Sequence, residues 1–142
     1  MKTYPFLYSI LAAIAIPVTI LAQAPDLTGT WIAESNASQN LILEQKDGKI
    51  HVQEMNGGKV DLDFTCSTSG QECEAKENGH SEKITMYFNG AKLVELRERG
   101  NDTIKQRLAL SNYGKVLTVE TVPLSSQEQI RIESFRRQPS QT

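Results

Sequence analysis

The chain has 142 residues, 39% of them hydrophobic, which is material for one domain with one core. Its 15 Lys and Arg stand against 17 Asp and Glu, and aromatic residues make up only 6%. That near-neutral balance excludes the basic face of a nucleic-acid binder, so no nucleic-acid partner is expected.

Residues 1–22 differ from everything after them: Lys2 is their only charge, 6–22 are almost wholly apolar, and Ala22-Gln23-Ala24 ends the run. This composition predicts a secretory signal peptide over 1–22, with cleavage after Ala24 as the later limit. Tyr4, Pro5, Ser9 and Pro17 leave the run shorter than the roughly 20 apolar residues of a spanning helix, so no stable membrane insertion is expected after cleavage. The mature domain is then 23–138 with a flexible tail at 139–142, exported to a periplasmic or extracellular space and expected to be monomeric.

From Asp26 onward, short alternating runs are separated by turn residues at intervals of about 8 to 12, as in an antiparallel barrel or sandwich. The first strand covers 30–34 and the second 40–45, with Leu41, Ile42 and Leu43. Lys46-Asp47-Gly48-Lys49 is a hairpin turn into 50–53, and Asn56-Gly57-Gly58 turns the chain again. Val60, Leu62, Phe64 and Cys66 form the clearest period-two run, with Asp61, Asp63 and Thr65 opposite. Residues 67–81 read as a loop containing a short strand over 72–76. Ile84, Met86 and Phe88 share the next face, before an Asn89-Gly90 turn.

Over 92–99 two registers compete. Either Val94 and Leu96 point inward and the charges lie in solvent, which is the expected arrangement, or Leu93 points inward and carries Glu95 and Arg97 with it. Ile104, Gln106, Leu108 and Leu110 share a face, as do Leu117, Val119 and Thr121. Ile130 and Ile132 are expected to anchor the last strand, which points Arg131 and Arg137 outward. Eight strands, with a ninth possible, joined mainly by short hairpins, predict an all-β, antiparallel up-and-down barrel, since closure removes exposed edges.

The stretch Asp26-Leu27-Thr28-Gly29-Thr30-Trp31, which opens the first strand and holds the single tryptophan, resembles the Gly-x-Trp signature of the calycin superfamily: lipocalins, fatty-acid-binding proteins and avidins. The resemblance implies a barrel with Gly29 at a tight entry and Trp31 plugging one end. In lipocalins an Arg near the end of the last strand stacks over that Trp, and Arg136 and Arg137 are the matching residues. With Phe64-Thr65-Cys66, Glu72-Cys73-Glu74 and the stretch from Phe88 to Leu96, the mature chain further resembles small lipocalin-like exported proteins of Acidobacteria. An avidin-type biotin site needs several tryptophans where this chain has one. A fatty-acid-binding site needs inward arginines on the last strands, and the expected parity does not supply them.

Cys66 and Cys73 are the only cysteines. In an exported chain an intrachain disulfide is expected; a redox pair favours Cys-x-x-Cys spacing, and two free thiols is the remaining alternative. His51 alternates with Ile50 and Val52, and His80 lies in a turn, so no metal site is expected. No convergent catalytic set stands out, so no enzyme activity and no cofactor are expected. Polar or adaptable residues on apolar faces (Gln106, Thr121, Ser134, Met86) suit either a ligand cavity with polar anchors or positions near the rims that pair with one another. The expected function is a binding barrel for a small apolar or amphipathic molecule, lined by Phe64, Met86, Phe88, Gln106, Leu108 and Thr121. The alternative is a filled barrel that docks a protein or envelope partner.

Overall fold

Alternating apolar and polar residues, cut by turns that only Gly, Asn or Asp adopt cheaply, produce ten strands and no helix among the described residues. A computed structural model describes residues 23–111 and 113–140; the expected leader at 1–22, and the last two residues of the expected tail, lie outside them. The strands are β1 (Gly29–Ala33), β2 (Gln39–Lys46), β3 (Lys49–Asn56), β4 (Lys59–Ser67), β5 (Ser69–Glu77), β6 (His80–Asn89), β7 (Lys92–Arg99), β8 (Asp102–Ser111), β9 (Val116–Pro123) and β10 (Arg131–Arg137). Asp47-Gly48 and Asn78-Gly79 both take positive φ at each residue, the geometry that matches strand twist in a two-residue hairpin.

Each strand except β4 pairs antiparallel with the next, and β1 also pairs with β10 through Trp31↔Arg137 and Ala33↔Phe135. The order β4-β3-β2-β1-β10-β9-β8-β7-β6-β5 makes a nearly closed up-and-down barrel whose one seam lies between β4 and β5. This is the lipocalin-like architecture.

Ten strands stand where eight or nine were expected: the alternating runs named above are nine, and the segment read mainly as a loop adds the tenth, β5. Only Ala75 is buried along it, so it carries no apolar alternation. Beside the seam it pairs on one side only, with β6. The expected Cys66–Cys73 disulfide is present, with Cα atoms 5.6 Å apart, and it ties β5 to β4 where no ladder does. The intervening Thr68 hangs on the Gly48 carbonyl, to which its N–H (2.9 Å) and hydroxyl (3.0 Å) both donate. Replacing both cysteines by alanine is expected to lower stability by about 2.5 kcal/mol, the loop-closure entropy of a link of this length. An unchanged urea midpoint would show that the ladders alone hold the seam.

One end of the barrel is plugged. The entry turn forms because the Thr28 N–H donates to Asp26 Oδ1 (3.0 Å), and hydrogen bonding from Thr28 holds that carboxylate below its usual pKa range. Leu27 and Trp31 are fully buried, and Trp31 Nε1 donates to the Leu27 carbonyl at 3.0 Å. Arg137 caps the indole, its guanidinium carbon 4.3 Å from the ring centroid, while it donates to the carbonyls of Thr28 and Gly114. Arg136, the other candidate, turns outward to Glu34.

The parity of β10 is thus the reverse of the one expected. Ile132 is 67% exposed and Ile130, outside the strand, is exposed too, whereas Phe135 and Arg137 face in. The stack on Trp31 and the Phe135 contact with the core outweigh the gain from turning two isoleucines inward.

Gly29 is required by this stack. A Cβ there would lie 2.8 Å from Arg137 Nη1. Gly29→Ala is expected to cost about 1–3 kcal/mol by overpacking, measurable by urea denaturation. The cost should shrink in an Arg137→Ala background, because the clashing group is gone.

Candidate functional site

Toward the end opposite Trp31, the inward faces change character. The apolar steps Leu41, Val52, Ile84, Val119 and Phe135 continue along their strands as Gln39, Glu54, Glu82, Thr121 and Glu133, and β7 contributes Glu95, Arg97 and Arg99. Leu93, fully buried near the closed end, sets the parity of β7 and brings Glu95 (2% exposed) and Arg97 (8% exposed) inside. This corrects the expected register, in which both charges lay in solvent. Val94 is buried as well, flanked in the ladder by Tyr87 and Arg107, so both faces of β7 are covered.

Buried charges are tolerated when paired. Arg97 donates through Nε to Glu95 and through Nη2 to Glu54, and its guanidinium carbon lies 5.9 Å from the centre of the Phe64 ring. Burial pushes the Glu95 carboxyl up from the usual range, with Arg97 opposing. Burial pulls Arg97 down, but the two carboxylates outweigh it and leave its pKa raised.

A second cluster stands nearer the rim. Arg99 Nη1 lies 3.1 Å from Glu77 Oε2 and 3.7 Å from Glu82 Oε1. Glu82 is 4% exposed, and its Oε2 has no hydrogen-bond partner. Burial raises its pKa, helped by its hydrogen bond to Glu77.

These groups border two adjoining spaces that share lining residues. An inner cavity of about 80 Å³, room for a few waters, is walled by Leu41, Leu43, Val52, Leu108, Val119 and Phe135 and roofed by Glu54, Glu95, Arg97 and Gln106. Above it a mouth of about 370 Å³ is lined by both clusters together with Asp102, Ile104, Thr121, Arg131 and Glu133. Gln39, Glu54, Arg97, Gln106 and Glu133 belong to both.

Of the residues expected to line a ligand site, Gln106 and Leu108 border the inner cavity, and Gln106 and Thr121 border the mouth. Gln106 Nε2 donates to Thr121 Oγ1 at 3.2 Å, so the amide is paired. Phe64 and Met86 are buried in the core, and Phe88 packs against it; none of the three borders either space. Glu54, Glu82, Glu133 and Arg99 went unread, although each continues a face by one even step: Ile50 and Val52 lead to Glu54, and Phe88, Met86 and Ile84 lead to Glu82.

On the outer surface His51 Nε2 lies 2.6 Å from Asp63 Oδ1, and Gln53 donates to the other oxygen at 2.8 Å; these bonds hold Asp63 below its usual pKa range. Among the described residues no three His, Cys, Asp or Glu side chains form a metal-holding group, and no helix is long and apolar enough to cross a membrane.

No protein-family model matches the chain, and no curated protein matches it by sequence. Among solved structures, the chain is similar to secretory abundant heat soluble protein 4 from Ramazzottius varieornatus, with a TM-score of 0.61 and 14% identity over 80% of this chain and 95% of that one. It is also similar to a mutant of the fluorescent protein UnaG, with a TM-score of 0.57 and 20% identity over 80% of this chain and 96% of that one. At these identities the likeness concerns the fold.

Proposed function

We propose that this is an exported lipocalin-like binding barrel that holds a small amphipathic molecule in its charged mouth, without covalent chemistry. The observation that carries this reading is the mouth itself: about 370 Å³ of space adjoining an inner cavity, lined by convergent polar groups above an apolar floor. Ligand sites usually begin near 300 Å³ and combine an apolar wall with a few placed polar groups. In this reading Gln106, Leu108 and Thr121 meet the ligand, while Phe64, Met86 and Phe88 are the packing behind it. The ligand enters opposite Trp31. The disulfide supports an oxidising compartment, in line with the leader composition of residues 1–22.

Native mass spectrometry of protein purified from its own host, with thermal shifts across a lipid and metabolite panel, tests the proposal. The expected result is a bound mass or a saturable stabilisation, worth about 2.7 kcal/mol at a hundred times Kd. A clean apo mass with no shift across the panel would count decisively against it.

One observation favours a second reading. Leu124, Ile130 and Ile132 are exposed on β10 and the loop before it, where a barrel docking a protein or envelope partner would present apolar surface.

A further inference from the structure

The charges at the mouth do not balance. Its wall holds five carboxylates, from Glu54, Glu77, Glu82, Asp102 and Glu133, and three guanidiniums, from Arg97, Arg99 and Arg131. The pairing is more telling than the totals. Arg97 is shared between Glu54 and Glu95, and Arg99 between Glu77 and Glu82, so each cluster is a guanidinium between two carboxylates. Each is one positive charge short of neutrality when all its members are ionised.

In a partly desolvated space a missing counter-charge is a binding preference, because Coulomb attraction is screened far less there than in water. An anion entering the mouth would meet Arg97 and Arg99 already engaged by two carboxylates each, and only Arg131 outside such a cluster. A cation would meet acceptors, and one of them is already placed: Glu82 Oε2 is buried, borders the mouth and has no partner. A buried acceptor left without a donor is costly, and a ligand that supplies the donor recovers that cost.

The shape of the donor is constrained as well. A metal cage built from protein alone takes three or more ligating side chains, and the described residues assemble no such group. An ammonium group presents three donors in a tripod, and three acceptor side chains line the same space: Glu82, Glu77 and Thr121. Below them, Ile104 in the mouth and Leu108 and Val119 in the inner cavity offer apolar surface for a short carbon skeleton.

We infer that the mouth is selective for a small organic ammonium ion, whose charged head is held by the Glu77–Glu82 carboxylate pair and whose apolar part lies toward Leu108. This inference rests on the binding-barrel reading and specifies its ligand class.

Titration calorimetry of the disulfide-intact protein with hexylammonium, hexan-1-ol and hexanoate tests it, because the three share one chain and differ in head charge. Hexylammonium is expected to bind about tenfold or more tightly than either of the others. Glu82→Gln is expected to abolish most of that preference, and Glu77→Gln, at a more exposed site, to reduce it. Thermal denaturation of both variants confirms that they fold. Equal or tighter binding of the alcohol or the carboxylate overturns the inference while leaving the binding barrel standing. A cation preference that survives both substitutions overturns the assigned anchor. No saturable binding of any of the three up to about 10 mM, the weak end for ligands of this size, counts against the inference and the reading beneath it.

Discussion

Trp31→Ala is expected to destabilise the protein by about 3–5 kcal/mol, a large part of the stability of a domain this size. Three losses coincide. The indole is fully buried, so truncation leaves a cavity that the rigid barrel end cannot collapse into. Its Nε1 no longer donates to Leu27, which frees the entry segment from the end it plugs. Arg137 loses the ring 4.3 Å beneath its guanidinium and keeps only its carbonyl partners. Trp31→Phe retains an aromatic face and should recover part of the loss, whereas Arg137→Ala removes the stack and its hydrogen bonds but leaves the plug. Urea denaturation followed by far-UV circular dichroism ranks the three. An alanine variant with the midpoint of the unaltered protein would mean that the closed end contributes little.

Arg97→Met is expected to cost about 3–5 kcal/mol at neutral pH, because it leaves Glu95 buried and without a counter-charge. The sign of its pH dependence follows from the carboxyl. Burial raises the folded-state pKa of Glu95 above its unfolded value, and Arg97 is what opposes that rise. Without Arg97 the rise is larger. The folded protein then binds its proton more tightly than the unfolded chain does, and stability falls as pH increases through the folded pKa. The deficit is therefore greatest at neutral and alkaline pH and shrinks on acidification toward the ordinary carboxylate range near 4.3. Removing both charges, in Glu95→Leu with Arg97→Met, should return most of the stability, since apolar replacement of a buried pair is often neutral or better. Glu54 is left partly exposed and can be hydrated. A single variant whose deficit is flat between pH 5 and pH 8 would show that Glu95 is not the group left stranded.

Much of the barrel is legible in the alternation. The faces of Leu62 to Cys66, Ile84 to Phe88, Ile104 to Leu110 and Leu117 to Thr121 point as their period requires, because each carries several apolar residues at one parity; Val60, expected on the first of these faces, is 43% exposed beyond a register shift between β3 and β4. What was obscured has physical causes. β5 lies beside the seam with only Ala75 buried, so its pattern is that of a loop. β7 has apolar residues at both parities, and the partner that makes an inward Arg97 tolerable, Glu54, is 43 residues distant. On β10 two expectations were incompatible: an Arg137 stacked on Trp31 cannot share a strand with an inward Ile132. Two isoleucines dominate any hydrophobic count, yet the packing of Phe135 and the stack on Trp31 decide the parity. The mouth was missed for a related reason. A polar residue that continues an apolar face looks like the end of a strand until the barrel brings several such ends together.

The ladder between β1 and β10 also bears on the order of assembly. Trp31 stands opposite Arg137, and Arg137 reaches Thr28 across 109 positions of chain. The first strand made therefore cannot complete its pairing until the last has left the ribosome or the translocation pore. Until then β1 and β9 each present an unpaired edge, the usual template for association between chains. Closure of so distant a contact carries the loop entropy that makes β-rich domains fold in milliseconds to seconds. Synthesis that stalls before residue 131 would leave two sheets, β1–β4 and β5–β9, with no ladder between them and the Trp31 end without its arginine cap, so the seven residues of β10 hold the interval in which this protein is most exposed to aggregation.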